Sequence, residues 1–172
     1  MDEILKKLKG GDLRSIGKAD EVVEDIIKNP RLFGEVFKGM LDDDPIVRMR
    51  SADALEKVSS IYPGYLQPFK GKLINEVSKI EQQEVRWHVA QMLSYLDLSK
   101  DERDKVIEIL LSFIDTSKSK IVKVFSITTL ANIAEKDQNR KPFILKKLQE
   151  FIKSDSPAIV SRAKKLIKKL EK

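Results

Sequence analysis

Hydrophobic and polar positions along the chain follow the period of an α-helix. After Asp44-Pro45, the residues Val47, Leu55 and Val58 fall on one helical face. Asp44 suits the N-cap position, and Pro45 suits the first helical position. The same apolar spacing predicts further helices over residues 20–28, 32–41, 66–80, 84–96, 102–114, 120–134, 142–152 and 157–170. The pattern therefore predicts an all-α fold.

The pattern also returns at a fixed interval. Val47, Val85, Val122 and Ile159 lie 38, 37 and 37 residues apart, and two further apolar positions keep this interval. A repeated helix pair is typical of an α-solenoid, because one pair alone cannot bury its apolar face. We predict one continuous domain in which residues 1–30 form N-terminal cap helices packed on the array. Residues 31–172 then form four repeats, at about 31–61, 65–97, 101–135 and 140–171.

The stretch DPIVR at residues 44–48, followed by Ala52 and Leu55, resembles the HEAT repeat of the armadillo-like α-solenoid family. In that family an Asp and an Arg six residues apart bridge neighbouring turns, as Asp42 and Arg48 are spaced here; Ile80 stands six residues before Arg86. The stretches MRSADALEKV and VRWHVAQML are similar to small bacterial and archaeal HEAT-repeat proteins. The resemblance implies that the second helix of each pair lines a concave groove, and it leaves function open.

One face of these second helices carries none of the residues of the apolar pattern. In the helix that begins at Glu84, Trp87 points away from the apolar side, and its neighbours on the wheel point outward with it. The repeat interval transfers these positions to the other repeats. The candidate binding residues of the concave face are Arg50, Asp53, Trp87, His88, Gln91, Tyr95, Phe125, Thr128, Asn132, Arg162, Lys165 and Lys169.

Two interpretations of the aromatic residues remain open. Exposed Trp and Arg side chains are typical of binding hot spots, because large rigid groups bury much area at low entropic cost. Alternatively, Trp87 and Phe125 pack between adjacent repeats and belong to the core.

Charge is unevenly distributed. Residues 87–172 contain 18 Lys and Arg against 11 Asp and Glu, a net charge of +7, whereas residues 1–86 have a net charge of −1. A basic cluster ends the chain: Arg162, Lys164, Lys165, Lys168, Lys169 and Lys172. This cluster is either a patch for nucleic acid or an acidic protein, or the solvated polar cap of the last repeat, where cations favour a helix C-terminus.

The composition limits the available chemistry. The chain has no Cys and a single His, His88, which excludes thiolate sites and multi-histidine metal centres. The isolated glycines form no phosphate-binding loop. We therefore expect no enzyme activity, no cofactor and no metal. HEAT-like alkylpurine DNA glycosylases carry an Asp one helical turn from an aromatic residue; here Gln91 follows Trp87 by one turn, so we do not expect glycosylase activity.

These observations predict a non-enzymatic interaction module that binds a protein or peptide in the concave groove of a short solenoid. The alternative is non-sequence-specific binding of nucleic acid through the basic C-terminal half and the groove aromatics. No stretch approaches the roughly 20 apolar residues of a membrane span. The N-terminal MDEILKKLKGG lacks a secretory signal pattern. We expect a cytoplasmic protein with no membrane partner, and the oligomeric state stays open.

Overall fold

The computed structural model describes residues 3–172, and within this range the regular structure is helical, with no strand. The α-helices are α1 (Glu3–Lys6), α2 (Ala19–Lys28), α3 (Leu32–Gly39), α4 (Pro45–Ile61), α5 (Lys70–Asn75), α6 (Gln83–Met92), α7 (Lys100–Thr116), α8 (Lys120–Lys136), α9 (Lys141–Phe151) and α10 (Pro157–Leu170). Short 3₁₀ turns cover Pro63–Tyr65, Gln67–Phe69, Val77–Lys79 and Leu93–Tyr95. The prediction of an all-α, solenoid-like fold is confirmed.

The chain divides into two compact units, Met1–Asp97 and Leu98–Lys172. In the first unit, α4 packs against α2, α3 and α6. In the second unit, α8 packs against α7, α9 and α10. Within each unit, a second helix therefore contacts its own partner and the second helix of the neighbouring pair. This pattern of helix contacts is typical of an α-solenoid.

The helices α1, α3 and α4 pack closely against one another in the first unit. Val47, Leu55 and Val58 of α4 are fully buried, as the apolar pattern predicts. A Cβ atom at Gly39 of α3 would lie 2.2 Å from Ser51 Oγ and 2.8 Å from Leu5 Cδ2. Real Cβ atoms do not approach so closely, so only glycine allows α3 to pack at this distance.

Equivalent arginines of the first two predicted repeats make the same backbone contact. Arg48 Nη1 donates to the carbonyl oxygen of Asp42 at 2.7 Å. Arg86 Nε donates to the carbonyl oxygen of Ile80 at 2.9 Å, again six residues earlier. The Asp42 carboxylate instead accepts the backbone N–H of Asp44 at 2.9 Å. The arginine thus binds a main-chain carbonyl, which explains why Ile80 can stand where an acid was expected.

The predicted continuous helix over residues 66–80 is wrong. The α-helical part is only α5, and 3₁₀ turns precede and follow it. Before α5, Gln67–Phe69 forms a 3₁₀ turn, so the α-helix begins only at Lys70. At the other end, Glu76 leaves the helical conformation, with φ −121°.

Two ion pairs connect the beginning of α7 to the beginning of α9 in the second unit. Arg140 binds Asp104 through two hydrogen bonds, of 2.7 and 2.6 Å. Arg103 binds Asp137, which also accepts the backbone N–H of Asn139 at 2.9 Å. The hydrogen bonds from Arg140 and Arg103 lower the pKa of the Asp104 and Asp137 carboxyls below their ordinary value. The turn between α8 and α9 is therefore anchored to α7.

Candidate functional site

Four of the predicted site residues line one cavity in the first unit. Arg50 and Asp53 come from α4, and Trp87 and His88 come from α6. The cavity has a volume of about 260 Å³. Its other wall is formed by the loop between α1 and α2, through Leu13, Arg14, Ser15 and Ile16, together with Met49. We call residues 12–16 the flap.

The aromatic residue of the cavity is in contact with its histidine. The ring centroids of Trp87 and His88 lie 5.5 Å apart with an interplanar angle of 60°, an edge-to-face arrangement. Trp87 is half-buried, whereas His88 is buried. The indole thus has a fixed neighbour on one side and remains partly accessible on the other.

Burial determines the charge state of His88. Its Nε2 lies 3.8 Å from Asp53 Oδ1, which is beyond hydrogen-bonding distance. Burial lowers the pKa of His88 to about 4; Asp53 raises this pKa and Lys57 lowers it, but both effects are smaller. Lys57 Nζ lies 2.8 Å from Asp53 Oδ2, so this lysine is the nearer charge partner of Asp53. At neutral pH the cavity therefore contains a neutral imidazole beside an ion-paired carboxylate.

Arg50 does not face solvent, contrary to the sequence prediction. Its side chain is 3% exposed, and its guanidinium donates to main-chain carbonyl oxygens of the loop between α1 and α2. The acceptors lie at 3.0 Å (Leu8), 3.3 Å (Lys9), 2.7 Å (Gly10), 3.4 Å (Asp12) and 3.0 Å (Ser15). The guanidinium holds the loop against α4 because its five donors fit several carbonyls at once.

The predicted outward exposure of Asp53 and His88 is wrong for the same reason as that of Arg50. The helical wheel places all three away from the apolar side of their helices, but in the folded unit all three are buried, and the flap forms the opposite wall of the cavity that they line. Their side chains are therefore part of a covered surface.

Gly17 makes the close approach of the loop possible. Its φ is +55°, and a Cβ atom at this position would lie 2.6 Å from Arg50 Cζ. Any other residue would be strained in this conformation and would collide with the guanidinium. Gly10, with φ +77°, shares the conformation but has no atom within 4 Å of its Cβ position.

Gln91 and Tyr95 lie further along the chain than the residues of the cavity and are half-buried. The Tyr95 hydroxyl donates to Glu56 Oε1 at 2.7 Å, which connects the end of the second pair to α4. Burial, and then the Glu56 carboxylate, raise the pKa of the Tyr95 phenol above its ordinary value. The Gln91 amide donates to the carbonyl oxygen of Trp87 at 3.4 Å. Both side chains are thus held by contacts within the unit.

The remaining six predicted residues belong to the second unit. Phe125, Thr128 and Asn132 are partly buried on α8, and the Thr128 hydroxyl donates to the carbonyl of its own helix at Val124, at 2.8 Å. Arg162, Lys165 and Lys169 are exposed on α10. The Lys169 ammonium forms an ion pair with Glu135 of α8 at 2.8 Å. Aromatic and basic residues are thus present on separate helices of this unit.

The flap residues of the cavity were not predicted. Leu13 and Ile16 are each 42% exposed, although they line the cavity. The loop has no helical period, so the apolar pattern gives no orientation for its side chains. The available signal was the sequence GGDLRSIG, in which two large apolar residues occur between glycines.

Within residues 3–172, no group of three or more His, Asp or Glu side chains is placed to hold a metal ion. In the same range, none of the helices has the length and apolar character needed to cross a membrane. No protein-family model, curated protein sequence or solved structure matches the chain.

Proposed function

We propose that this chain is a non-enzymatic interaction module of the HEAT-repeat type, and that it binds a protein or peptide segment on the α4–α6 face of its first unit. The observation that carries the proposal is the half-buried Trp87 at a cavity of about 260 Å³. A partly exposed Trp at the edge of a cavity is typical of binding hot spots, where a few residues contribute most of the binding free energy. Helix pairs with equivalent arginine contacts support the HEAT-repeat assignment.

Binding without catalysis fits the polar groups of the cavity. The Asp53 carboxylate is ion-paired with Lys57, and its distance of 3.8 Å to His88 is too long for the pair to share a proton. The Ser15 hydroxyl at the cavity accepts the backbone N–H of Gly17 at 3.0 Å. These groups shape and polarise a binding surface, and none of them is paired as a nucleophile with a base.

Selection of peptides from a phage-displayed dodecapeptide library tests this proposal. The affinities of selected peptides are then measured for the wild-type protein, for Trp87→Ala and for Tyr62→Ala. Tyr62 is a matched control because it is an aromatic residue of the same unit, 41% exposed, that does not line the cavity. We expect Trp87→Ala to weaken binding by about tenfold or more, and Tyr62→Ala to leave it unchanged. Equal affinities for the wild type and Trp87→Ala would refute the proposal.

A second candidate function, binding to the phosphate backbone of nucleic acid, is favoured by the surface of α10. The second unit contains 18 Lys and Arg against 10 Asp and Glu, a net charge of +8. Arg162, Lys164, Lys165 and Lys168 are exposed on α10 and form no ion pair within the described residues. The apolar side of α10 is buried, which leaves the charged side available. Such a surface neutralises phosphates without reading sequence.

The salt dependence of binding to a labelled DNA duplex tests this second candidate. With three or four phosphate contacts, we expect the logarithm of the association constant to fall with the logarithm of salt concentration with a slope of about −3. The variant Lys164→Glu/Lys168→Glu should reduce the slope, whereas Lys118→Glu/Lys120→Glu, at two exposed lysines outside α10, should not. Equal loss of binding in both variants would show only a nonspecific effect of net charge.

A further inference from the structure

The flap occupies the same face of the first unit that we propose as the peptide-binding surface. It lies opposite Trp87 and His88 across the cavity, and it is connected to α4 through the guanidinium of Arg50. A segment of polypeptide is therefore already seated on this surface. The contacts of this segment show which features another peptide would need in order to bind there.

The contacts of Arg50 fall into two groups. The carbonyls of Leu8, Lys9 and Gly10 follow α1, whose residues Ile4, Leu5 and Leu8 are buried in the core. The carbonyls of Ser15, at 3.0 Å from Nε, and Asp12, at 3.4 Å from Nη2, belong to the flap itself. Release of the flap would break only the second group. The first group and the buried residues of α1 would hold the N-terminal helix in place.

The flap is otherwise held by few contacts. Its side-chain hydrogen bonds to backbone N–H groups are local, from Arg14 N–H to Asp12 Oδ1 at 2.8 Å and from Gly17 N–H to Ser15 Oγ at 3.0 Å. These bonds shape the loop but do not attach it to α4 or α6. Segments with few buried contacts and exposed backbone open at low free-energy cost.

The apolar residues of the flap border the cavity but stay partly exposed to solvent. Leu13 and Ile16 are each 42% exposed, while the cavity that they border has a volume of about 260 Å³. This cavity is partly open to solvent, so the flap borders the α4–α6 face without sealing it.

We propose that the flap is an intramolecular ligand of the α4–α6 face, and that the partner is a peptide segment that displaces it. In this complex Arg50 Nε donates a hydrogen bond to a main-chain carbonyl oxygen of the partner, which replaces the carbonyl oxygen of Ser15. Its apolar side chains take the positions of Leu13 and Ile16 beside Trp87. The flap carries one acid and one base, Asp12 and Arg14, so a peptide of this kind binds with little dependence on salt.

This inference rests on the proposed function, and it names the partner chemistry for that site. The probe that tests it is a labelled synthetic peptide with the chain's own sequence from Leu8 to Lys18. The full-length protein is compared with the variant Leu13→Asp/Ile16→Asp, in which the flap loses the two apolar side chains that border the cavity. The control is Ile27→Asp/Leu41→Asp, because these side chains are 40% and 42% exposed and do not line the cavity.

We expect the peptide to bind the flap variant at least about tenfold more tightly than it binds the wild type, in which the tethered flap competes for the site. The Ile27→Asp/Leu41→Asp control should bind as the wild type does. A peptide with Ser at both apolar positions should not bind the flap variant. The milder variant Leu13→Ser/Ile16→Ser gives the same comparison if the Asp substitutions prevent folding, which circular dichroism would show.

Equal binding of the peptide to the wild type and to both flap variants, or binding to none of them, would overturn the inference. If library-selected peptides still depended on Trp87 in that case, the proposed function would stand and only the role of the flap would fail. If the selected peptides were also insensitive to Trp87→Ala, both proposals would fail.

Discussion

His88 Nε2 of α6 lies 3.8 Å from Asp53 Oδ1 of α4, and both side chains are almost completely removed from solvent. The distance is too long for a hydrogen bond, so the carboxylate does not hold a proton on the imidazole. Burial instead dominates and lowers the pKa of His88 to about 4. The two side chains therefore lie close together between α4 and α6 without a hydrogen bond, and the histidine is neutral at neutral pH.

The low pKa of His88 predicts that stability depends on pH. Below a pH of about 6.5, the unfolded chain binds a proton at this histidine that the folded chain does not bind until about pH 4. The free energy of unfolding should therefore decrease as the pH falls from about 6.5 to about 4, and this contribution should be constant above pH 6.5. Its full size is about 3 kcal/mol as an upper estimate.

Urea denaturation of the wild type and of His88→Gln between pH 4 and pH 7 measures this contribution. Asp and Glu residues titrate in both proteins, so the difference between the two curves isolates the histidine. The variant should lose less stability than the wild type over this range. Parallel curves would mean that His88 is exposed or hydrogen-bonded in both of its charge states.

Arg50 should be important for the stability of the first unit. Its replacement by Ala removes the hydrogen-bond donors for five main-chain carbonyl oxygens, all of them buried or partly buried. We expect Arg50→Ala to decrease the free energy of unfolding by about 2–4 kcal/mol. Arg50→Lys should recover only part of this loss, because an ammonium cannot reproduce the planar fork.

Chemical denaturation with Arg31→Ala as the control tests the role of Arg50. Arg31 is an exposed arginine of the same unit, and its replacement should change stability by no more than about 0.5 kcal/mol. A similar small effect for Arg50→Ala would show that the guanidinium does not hold the loop.

Alanine substitutions at two glycines of the same loop distinguish the destabilisation caused by backbone strain from that caused by a steric clash. Gly10 and Gly17 both have positive φ, but only at Gly17 would a Cβ atom collide with Arg50, at 2.6 Å from Cζ. Gly10→Ala should decrease the free energy of unfolding by about 1 kcal/mol, because its backbone conformation is strained for alanine. Gly17→Ala should decrease the free energy of unfolding by clearly more, because Arg50 must move as well. Thermal melts of the two variants provide the comparison, and equal costs would contradict the placement of Arg50 beneath Gly17.

The sequence predicted the helix pairs because apolar residues at a period of 37–38 residues must lie on buried faces. Val47, Val85, Val122 and Ile159 are all buried as predicted. The predicted helix over residues 66–80 failed because Gln67–Phe69 and Val77–Lys79 form 3₁₀ turns and Glu76 leaves the helical conformation, which limits α5 to Lys70–Asn75. The apolar pattern does not distinguish a continuous α-helix from a short helix flanked by such turns.

The candidate site was predicted only in part. The helical wheel correctly separated Arg50, Asp53 and His88 from the apolar side of their own helices, and the structure brings them to one cavity. The wheel could not show that the flap forms the other wall of this cavity and contacts Arg50, since the flap is a loop without periodicity. Arg50 donates to main-chain carbonyl oxygens, which every residue has, so the sequence could not indicate these hydrogen bonds.

Quenching of Trp87 fluorescence by acrylamide tests most directly whether the flap shields the α4–α6 face at Trp87, because the chain has one Trp. Leu13→Asp/Ile16→Asp should increase the quenching constant above that of the wild type, and Ile27→Asp/Leu41→Asp should leave it unchanged. An unchanged quenching constant in the folded flap variant would show that the flap does not shield Trp87.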